Sequence, residues 1–153
     1  MKNSPPPALT PTGSDGPGVL GILGYGRFGR ALGELAIEAG LHVRAFDPTA
    51  HVPDELSAES SADLARACSQ LVLAVPTQAL RSSLAEVRPH LTPNHLVMDV
   101  ASVKLEPEAI LAEILGTEVP WVATHPLFGP SAMALGERPL RVVVCPNGLH
   151  PQA

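Results

Sequence analysis

The sequence predicts an α/β fold built on a doubly wound, mostly parallel β-sheet. Short apolar runs rich in valine and leucine alternate with stretches of helical periodicity, and the runs lack the polar alternation of strands that face water on one side. Strand, helix, strand, repeated along a chain, gives right-handed crossovers and parallel pairing. A length of 153 residues fits one such domain.

Composition narrows the classes of function. Hydrophobic residues make up 45% of the chain and the formal net charge is -5, so a sizeable core is expected and a nucleic-acid-binding surface is not. No apolar run approaches the roughly 20 residues of a membrane span and no signal-peptide core is visible, which predicts a cytoplasmic protein without a membrane partner. Cys68 and Cys145 lie far apart and are expected to be free thiols of a reducing compartment. No metal site is predicted.

The strands are expected in order after a proline- and glycine-rich lead-in. Residues 1–18 contain little that is apolar and are expected to be disordered, which leaves 19–153 as the folded domain. The predicted strands are 19–23, 41–46, 71–75, 95–100, 121–124 and 141–145.

Helical patterns connect these strands. Apolar residues at helical spacing indicate three helices. They are Phe28, Leu32, Leu35, Ala36 and Ala39 in the first, Leu80, Leu84 and Val87 in the second, and Ile110, Leu111, Ile114 and Leu115 in the third. The segment SADLARAC predicts a shorter helix between the first two. Gly40 is expected to close the first helix in a left-handed conformation. Thr77 is expected to cap the next long helix and Pro89 to stop it. Pro107 and Gly116 are expected to bracket the last.

A glycine-rich turn, GYGRFG, lies between the first predicted strand and the first helix. In a turn of this kind Gly24 permits the tight bend, Gly26 lets the backbone approach a pyrophosphate, and Gly29 lets the helix lie close to the sheet. The phosphates would bind free N–H groups at the start of the helix, where the macrodipole favours negative charge. The turn therefore predicts a Rossmann-type dinucleotide site.

Asp47 indicates which of the two nicotinamide dinucleotides, NAD or NADP, is expected to bind. It follows Gly24 by 23 residues, at the end of the second predicted strand. A carboxylate there can accept hydrogen bonds from the adenosine ribose and would repel a 2′-phosphate, so NAD is preferred over NADP. Arg27 and Arg44 leave NADP possible. The alternative is that Asp47 is a turn residue before Pro48.

Polar side chains also follow the later strands, at the sheet edge where ligands of such folds bind. Ser102 and Lys104 follow HLVMDV, and His125 follows WVAT. A hydroxyl, an ammonium and an imidazole would suit hydride transfer from a carbon bearing a hydroxyl, with the imidazole accepting the hydroxyl proton. The alternatives are that Ser102 caps a turn, that Lys104 is a solvated charge and that His125 is an ordinary surface histidine.

Taken together, these motifs resemble the N-terminal nucleotide-binding domain of the prephenate and arogenate dehydrogenases of tyrosine biosynthesis. The resemblance covers residues 19 to about 150. The segments that carry it are GYGRFG with Asp47, LVLAVP, MDVASVK, THPLFGP and RVVVC. The pairing of MDVASVK with THPLFGP is far more specific than a glycine motif.

The resemblance implies oxidative decarboxylation of prephenate or arogenate, a small-molecule substrate, with NAD or NADP taking the hydride. It implies that His125 binds the ring hydroxyl and takes its proton, and that Ser102, near nicotinamide and substrate, orients His125. The cofactor-binding set is Gly24, Tyr25, Gly26, Arg27, Phe28, Gly29, Asp47, Val75, Pro76 and Ser102.

One departure from the family limits these expectations. Family members carry a helical second domain that builds the dimer and supplies an arginine for a substrate carboxylate, whereas this sequence stops at CPNGLHPQA. A homodimer is expected only if that domain is present. Two alternatives stay open: an incomplete nucleotide-binding module without catalysis, or a dehydrogenase of another small hydroxy acid.

Overall fold

A computed structural model describes residues 18–153, which form one six-stranded sheet. The strands are β1 Val19–Leu23, β2 His42–Phe46, β3 Gln70–Leu73, β4 Leu96–Asp99, β5 Trp121–Pro126 and β6 Val142–Cys145. Their order across the sheet is β2-β1-β3-β4-β5-β6. The first five pair in parallel and β6 runs antiparallel to β5. The doubly wound, mostly parallel sheet is confirmed, while the predicted lead-in lies outside the described residues except for Gly18.

Five α-helices connect the strands. They are α1 Arg27–Glu38, α2 Ser61–Ala67, α3 Thr77–Val87, α4 Leu105–Leu115 and α5 Pro130–Ala134. Gly40 follows α1 with φ 83°, and the N–H of Leu41 donates to Ala36 O at 3.0 Å, which confirms the predicted left-handed end. The prediction that Thr77 caps α3 is wrong by one residue. Pro76 holds the cap position with an extended ψ of 147°, so Thr77 is already helical.

Apolar side chains cover both faces of the sheet, which explains why the strands lack polar alternation. On one face α1 packs against Leu20, Ile22 and Val43. On the other face α2, α3 and α4 bury a larger cluster around Leu71 and Val97. The helices therefore fix the strand ends, from which the loops of the candidate site emerge.

Both cysteines are free thiols, which agrees with the prediction that they form no disulfide, but Cys145 is only partly buried. Cys68 is buried, and burial raises the pKa of its thiol to about 11. Within residues 18–153, no helix has the length and hydropathy that a membrane crossing requires. In the same part of the chain, no three histidine, cysteine or acidic residues cluster closely enough to hold a metal ion.

Candidate functional site

A cavity of about 570 Å³ opens at the carboxyl ends of β1, β3, β4 and β5. The chain leaves β1 through α1 toward β2 on one side, and leaves β3 through α3 toward β4 on the other. Where the connections that leave two neighbouring strands run in opposite directions, a crevice forms between them, and ligands of α/β folds bind in that crevice. The lining residues are Gly26, Arg27, Phe28, Asp47, Thr49, Ala50, Ala74, Val75, Pro76, Val100, Ala101, Ser102, Pro126, Phe128 and Gly129.

The three glycines of GYGRFG have three different surroundings. Gly24 has φ 98°, and a Cβ there would lie 2.6 Å from Ala74 O. A Cβ on Gly29 would lie 2.1 Å from Gly24 O, so the helix can approach the turn only without a side chain. Gly26 is exposed, and a Cβ there would meet no atom within 4 Å. The bend and the helix packing thus agree with the predicted roles of Gly24 and Gly29, and the open side of Gly26 faces the cavity.

The N-terminus of α1 has no side-chain cap. Gly26 occupies the cap position, and the first hydrogen bond of the helix runs from the Arg30 N–H to Gly26 O at 2.9 Å. The first turn contains no acidic residue. Because the leading N–H groups of a helix have no intrahelical acceptors, this end of α1 can bind a phosphate.

Asp47 organises the loop that follows β2. Its Oδ2 accepts a hydrogen bond from the Tyr25 N–H at 2.7 Å. Its Oδ1 accepts three more, from the N–H and hydroxyl of Thr49 and from the Ala50 N–H at 2.7 Å. Asp47 is therefore the turn residue of the alternative interpretation and also ties that turn to the glycine loop. Oδ2 accepts one hydrogen bond and Oδ1 accepts three, so Oδ2 is the less occupied of the two carboxylate oxygens.

Hydrogen bonds set the charge state of Asp47. Burial alone would raise its pKa, but the N–H groups of Ala50, Thr49 and Tyr25 outweigh burial and hold the pKa below its usual value. Arg44 lies on the same strand but outside the cavity, where its guanidinium donates to Ser57 O at 2.9 Å. The charges at this point of the cavity wall are thus the Asp47 carboxylate and the exposed Arg27.

The loop after β4 is held by a buried ion pair. Lys104 Nζ contacts Asp99 Oδ2 and donates to Thr124 O at 2.6 Å, and Asp99 is only 1% exposed. Asp99 Oδ1 also accepts from the Ala101 N–H at 2.9 Å. Both interpretations of Lys104 are therefore wrong: it is neither a solvated charge nor a free ammonium, but a clamp between β4 and β5. The clamp leaves Ser102 exposed at the cavity.

His125 lies on β5, next to the cavity but not in its wall. Its neighbour Pro126 lines the cavity, and successive side chains of a strand point to opposite faces. His125 is half-buried, and its Nδ1 is buried without a hydrogen-bond partner among residues 18–153. No hydrogen bond joins it to Ser102 in this structure, so the predicted orienting contact is absent. The catalytic role of His125 stays a prediction.

Two aromatic side chains connect the two walls of the cavity. Phe28 at the start of α1 and Phe128 after β5 have ring centroids 6.1 Å apart, tilted by 32°. Phe128, Gly129, Thr49 and Ala50 line the cavity but are not among the site residues predicted from the sequence. A usable signal was present, since GYGRFG and THPLFGP each place a phenylalanine directly before a glycine.

The structure gathers most of the predicted site residues. Seven of them line the cavity: Gly26, Arg27, Phe28, Asp47, Val75, Pro76 and Ser102. Gly24, Tyr25 and Gly29 are buried behind it and support the loop. The site residues are thus divided between cavity wall and scaffold, with His125 beside the wall.

Comparison with known proteins agrees with this geometry. Residues 48–146, more than half of the chain, match the family model described as prephenate dehydrogenase, nucleotide-binding domain. A probable arogenate/prephenate dehydrogenase of Methanocaldococcus jannaschii is 32% identical over 80 residues, which are 52% of this chain and 18% of that protein. This chain therefore spans less than a fifth of the length of that relative.

Solved structures show the same fold at low identity. A Plasmodium falciparum pyrroline carboxylate reductase with NADP bound matches with a TM-score of 0.69 and 24% identity, over 86% of this chain and 48% of that one. The Synechocystis arogenate dehydrogenase matches with a TM-score of 0.59 and 23% identity, over 71% of this chain and 40% of that one. The fold, the cavity and the match over residues 48–146 agree: the chain belongs to the prephenate dehydrogenase nucleotide-binding domain family.

Proposed function

We propose that this chain provides the nucleotide-binding domain of a dehydrogenase that oxidatively decarboxylates prephenate or arogenate, with a nicotinamide dinucleotide as hydride acceptor. The observation that carries the proposal is the cavity between β1 and β3, where the GYGRFG turn and the THPLFGP loop form opposite walls. Membership of the family and the 32% identity to a probable arogenate/prephenate dehydrogenase support the choice of reaction.

The chain holds the dinucleotide along the cavity. The uncapped start of α1, approached across the bare backbone of Gly26, binds the diphosphate. The Asp47 carboxylate, through its less occupied Oδ2, binds the adenosine ribose. The nicotinamide then lies toward Ser102 and Phe128 at the other end of the cavity. When bound, the nicotinamide accepts the hydride from the ring carbon that carries the hydroxyl.

Residues of this chain accept the proton of the substrate's ring hydroxyl and return it. His125 accepts the proton of the ring hydroxyl as the carbonyl forms, and it does so through Nε2, because Nδ1 is buried. Loss of carbon dioxide then leaves its electron pair in the ring, which becomes a phenolate and takes the proton back. Ser102, exposed at the cavity, donates a hydrogen bond to the reacting oxygen.

NAD is the preferred dinucleotide in this proposal. A 2′-phosphate would lie against the Asp47 carboxylate, and like charges at close range repel. Arg44 does not line this cavity, and its guanidinium donates to Ser57 O. Titration calorimetry with NAD and NADP tests this directly, because tighter binding of NADP would contradict the role of Asp47. The expected homodimer, cytoplasmic location and lack of nucleic-acid binding stay predictions.

Replacing His125 tests the reaction. In the full gene product, His125→Asn should lower kcat for prephenate or arogenate by about 100- to 10,000-fold, because the transition state loses its proton acceptor. The affinity for NAD should not change, since His125 does not line the cavity. NADH formation and NAD titration are measured side by side.

His42→Asn is the matched control, because His42 is exposed and begins β2 at the opposite end of the sheet. It should leave kcat unchanged. Unchanged turnover in His125→Asn would remove this histidine from the mechanism. If prephenate and arogenate were both inert but another hydroxy acid reduced NAD, the reaction class would stand and the substrate would be wrong.

A further inference from the structure

A second cavity, of about 350 Å³, adjoins the first. The two share Asp47, Thr49, Val75 and Pro76 in their walls. The two adjoining cavities together are called the groove below. Since the first cavity contains the ends of β4 and β5, the second extends the groove in the opposite direction, toward α2 and α3.

The order of groups in a dinucleotide determines what enters the second cavity. This step rests on the proposed function, which places the diphosphate at Gly26 and the adenosine ribose at Asp47. The base is attached to that ribose and lies beyond it, away from the nicotinamide. The second cavity has apolar walls for a flat ring, formed by Leu23, Phe46 and Ala79.

The far end of the second cavity is polar. Ser61, only 3% exposed, donates its hydroxyl hydrogen bond to Oε1 of Glu86. Glu86 lies on the same face of α3 as Pro76, Ala79 and Ser83, at spacings of three and four residues, and all four line the cavity. Ser61 thus fixes a carboxylate at the place where a bound base would end.

One oxygen of that carboxylate remains open. Oε2 of Glu86 accepts no hydrogen bond from any residue between 18 and 153. A carboxylate oxygen only accepts, so its complement must be a hydrogen-bond donor, and on a nucleotide base such donors are N–H groups. Adenine presents two such donors on its exocyclic amine, whereas hypoxanthine presents a carbonyl oxygen at the same position.

We propose that Glu86, positioned by Ser61, reads the exocyclic amine of the base and makes this site selective for adenine dinucleotides over hypoxanthine dinucleotides. The amine donates to Oε2, while a 6-oxo group would place its lone pairs against the carboxylate. Sequence reasoning missed both residues, because nothing near either of them in sequence forms a recognisable motif.

Calorimetric titration with two ligands tests the proposal on this chain. NAD and nicotinamide hypoxanthine dinucleotide differ in the 6-substituent of the base and at the adjacent N1, which is an acceptor in adenine and an N–H donor in hypoxanthine. The wild-type protein should bind NAD roughly tenfold more tightly, the range expected for one hydrogen bond to a charged group in a partly exposed site. Equal affinities would overturn the assignment of Glu86.

The substitution Glu86→Gln should weaken or reverse the preference for NAD over the hypoxanthine dinucleotide. The glutamine carbonyl can still accept from Ser61, while its amide N–H now faces the base and suits the 6-oxo group. The preference for NAD should fall to near parity or invert. A preference that is unchanged from wild type would also overturn the proposal. Because Glu86 is exposed, the substitution is not expected to affect folding, which a thermal unfolding curve checks.

Glu113→Gln is the matched control, since this glutamate lies on α4 outside both cavities and pairs with Arg81. Its ratio of affinities should equal that of the wild type. The two proposals fail in different ways. If neither dinucleotide bound, the nucleotide-binding function itself would be wrong, whereas binding of both with equal affinity would overturn only the role of Glu86.

Discussion

The two ends of the groove differ in how fully their groups are satisfied. At the nucleotide end, the Asp47 carboxylate accepts four hydrogen bonds from its own loop and from Tyr25. At the reacting end, Ser102 is exposed at the cavity, and the Nδ1 of His125 is buried without a hydrogen-bond partner among residues 18–153. The nucleotide end is thus pre-organised by local contacts, while the reacting end keeps polar groups that are not satisfied by the protein.

One feature of the reacting end goes against this contrast. Asp99 is almost fully buried, and Lys104 is its ionic partner. The pair joins two residues five positions apart, and Lys104 also reaches Thr124 of β5, so the loop that carries Ser102 is tied to the neighbouring strand. At this end the side chains at the cavity surface are therefore exposed, whereas the backbone of the loop is held by the Asp99–Lys104 pair.

Lys104→Met should have the largest effect on stability. The methionine keeps most of the packing but leaves the Asp99 carboxylate buried without its partner, which typically costs about 3–5 kcal/mol in the free energy of unfolding. Urea unfolding measures the change. Arg81→Met is the control, because its ion pair with Glu113 is exposed and should contribute nothing measurable. Equal effects of the two substitutions would show that the Asp99 pair is no clamp.

Substitutions of Gly29 and Gly26 distinguish a glycine that is needed for stability from one that is needed for binding at the nucleotide end. In Gly29→Ala the new Cβ would lie 2.1 Å from a backbone oxygen, so the helix must move and the free energy of unfolding should fall by about 1–3 kcal/mol. In Gly26→Ala the new methyl group meets no atom within 4 Å, so stability should hardly change. It would nevertheless occupy the approach to α1 and weaken NAD binding.

Thermal unfolding and NAD titration of both variants check this pair. The expected pattern is a stability loss in Gly29→Ala, and an affinity loss at near-normal stability in Gly26→Ala. If Gly26→Ala bound NAD as tightly as the wild type, the diphosphate would not approach across this residue.

The parts of this fold that sequence predicted well are those in which a residue's neighbours in the chain determine its structure. The six strands and the left-handed end at Gly40 follow from runs of apolar residues and from one glycine. The antiparallel direction of β6 does not, because the segment from Pro130 to Arg141 forms only a short helix and a return loop, which no periodicity reveals.

The sequence predicted where the residues of the candidate site lie better than it predicted the contacts that their side chains make. The glycines and Asp47 lie where spacing placed them, because a turn of this kind depends on local geometry. Lys104 was misjudged because its acceptors include a carbonyl 20 residues away, on another strand. Contacts of that range depend on packing, and a single sequence does not encode them in any short pattern.

Asp47→Asn gives the smallest effect, and its pH dependence identifies the cause. At neutral pH the amide can replace only part of the acceptor capacity, and one of its N–H groups would face a backbone donor, so we expect a loss of about 1 kcal/mol. Because hydrogen bonds outweigh burial and lower the pKa of Asp47, the carboxylate contributes its full stability above the unfolded pKa of about 3.9.

This contribution is lost as the pH falls through the lower, folded pKa, where the wild-type carboxylate becomes protonated. The difference in unfolding free energy between wild type and Asp47→Asn should therefore be constant from neutral pH down to about 4 and shrink below it. Urea midpoints measured across this range provide the check. A difference that stayed constant into strong acid would mean that Asp47 stabilises the loop through shape and not through charge.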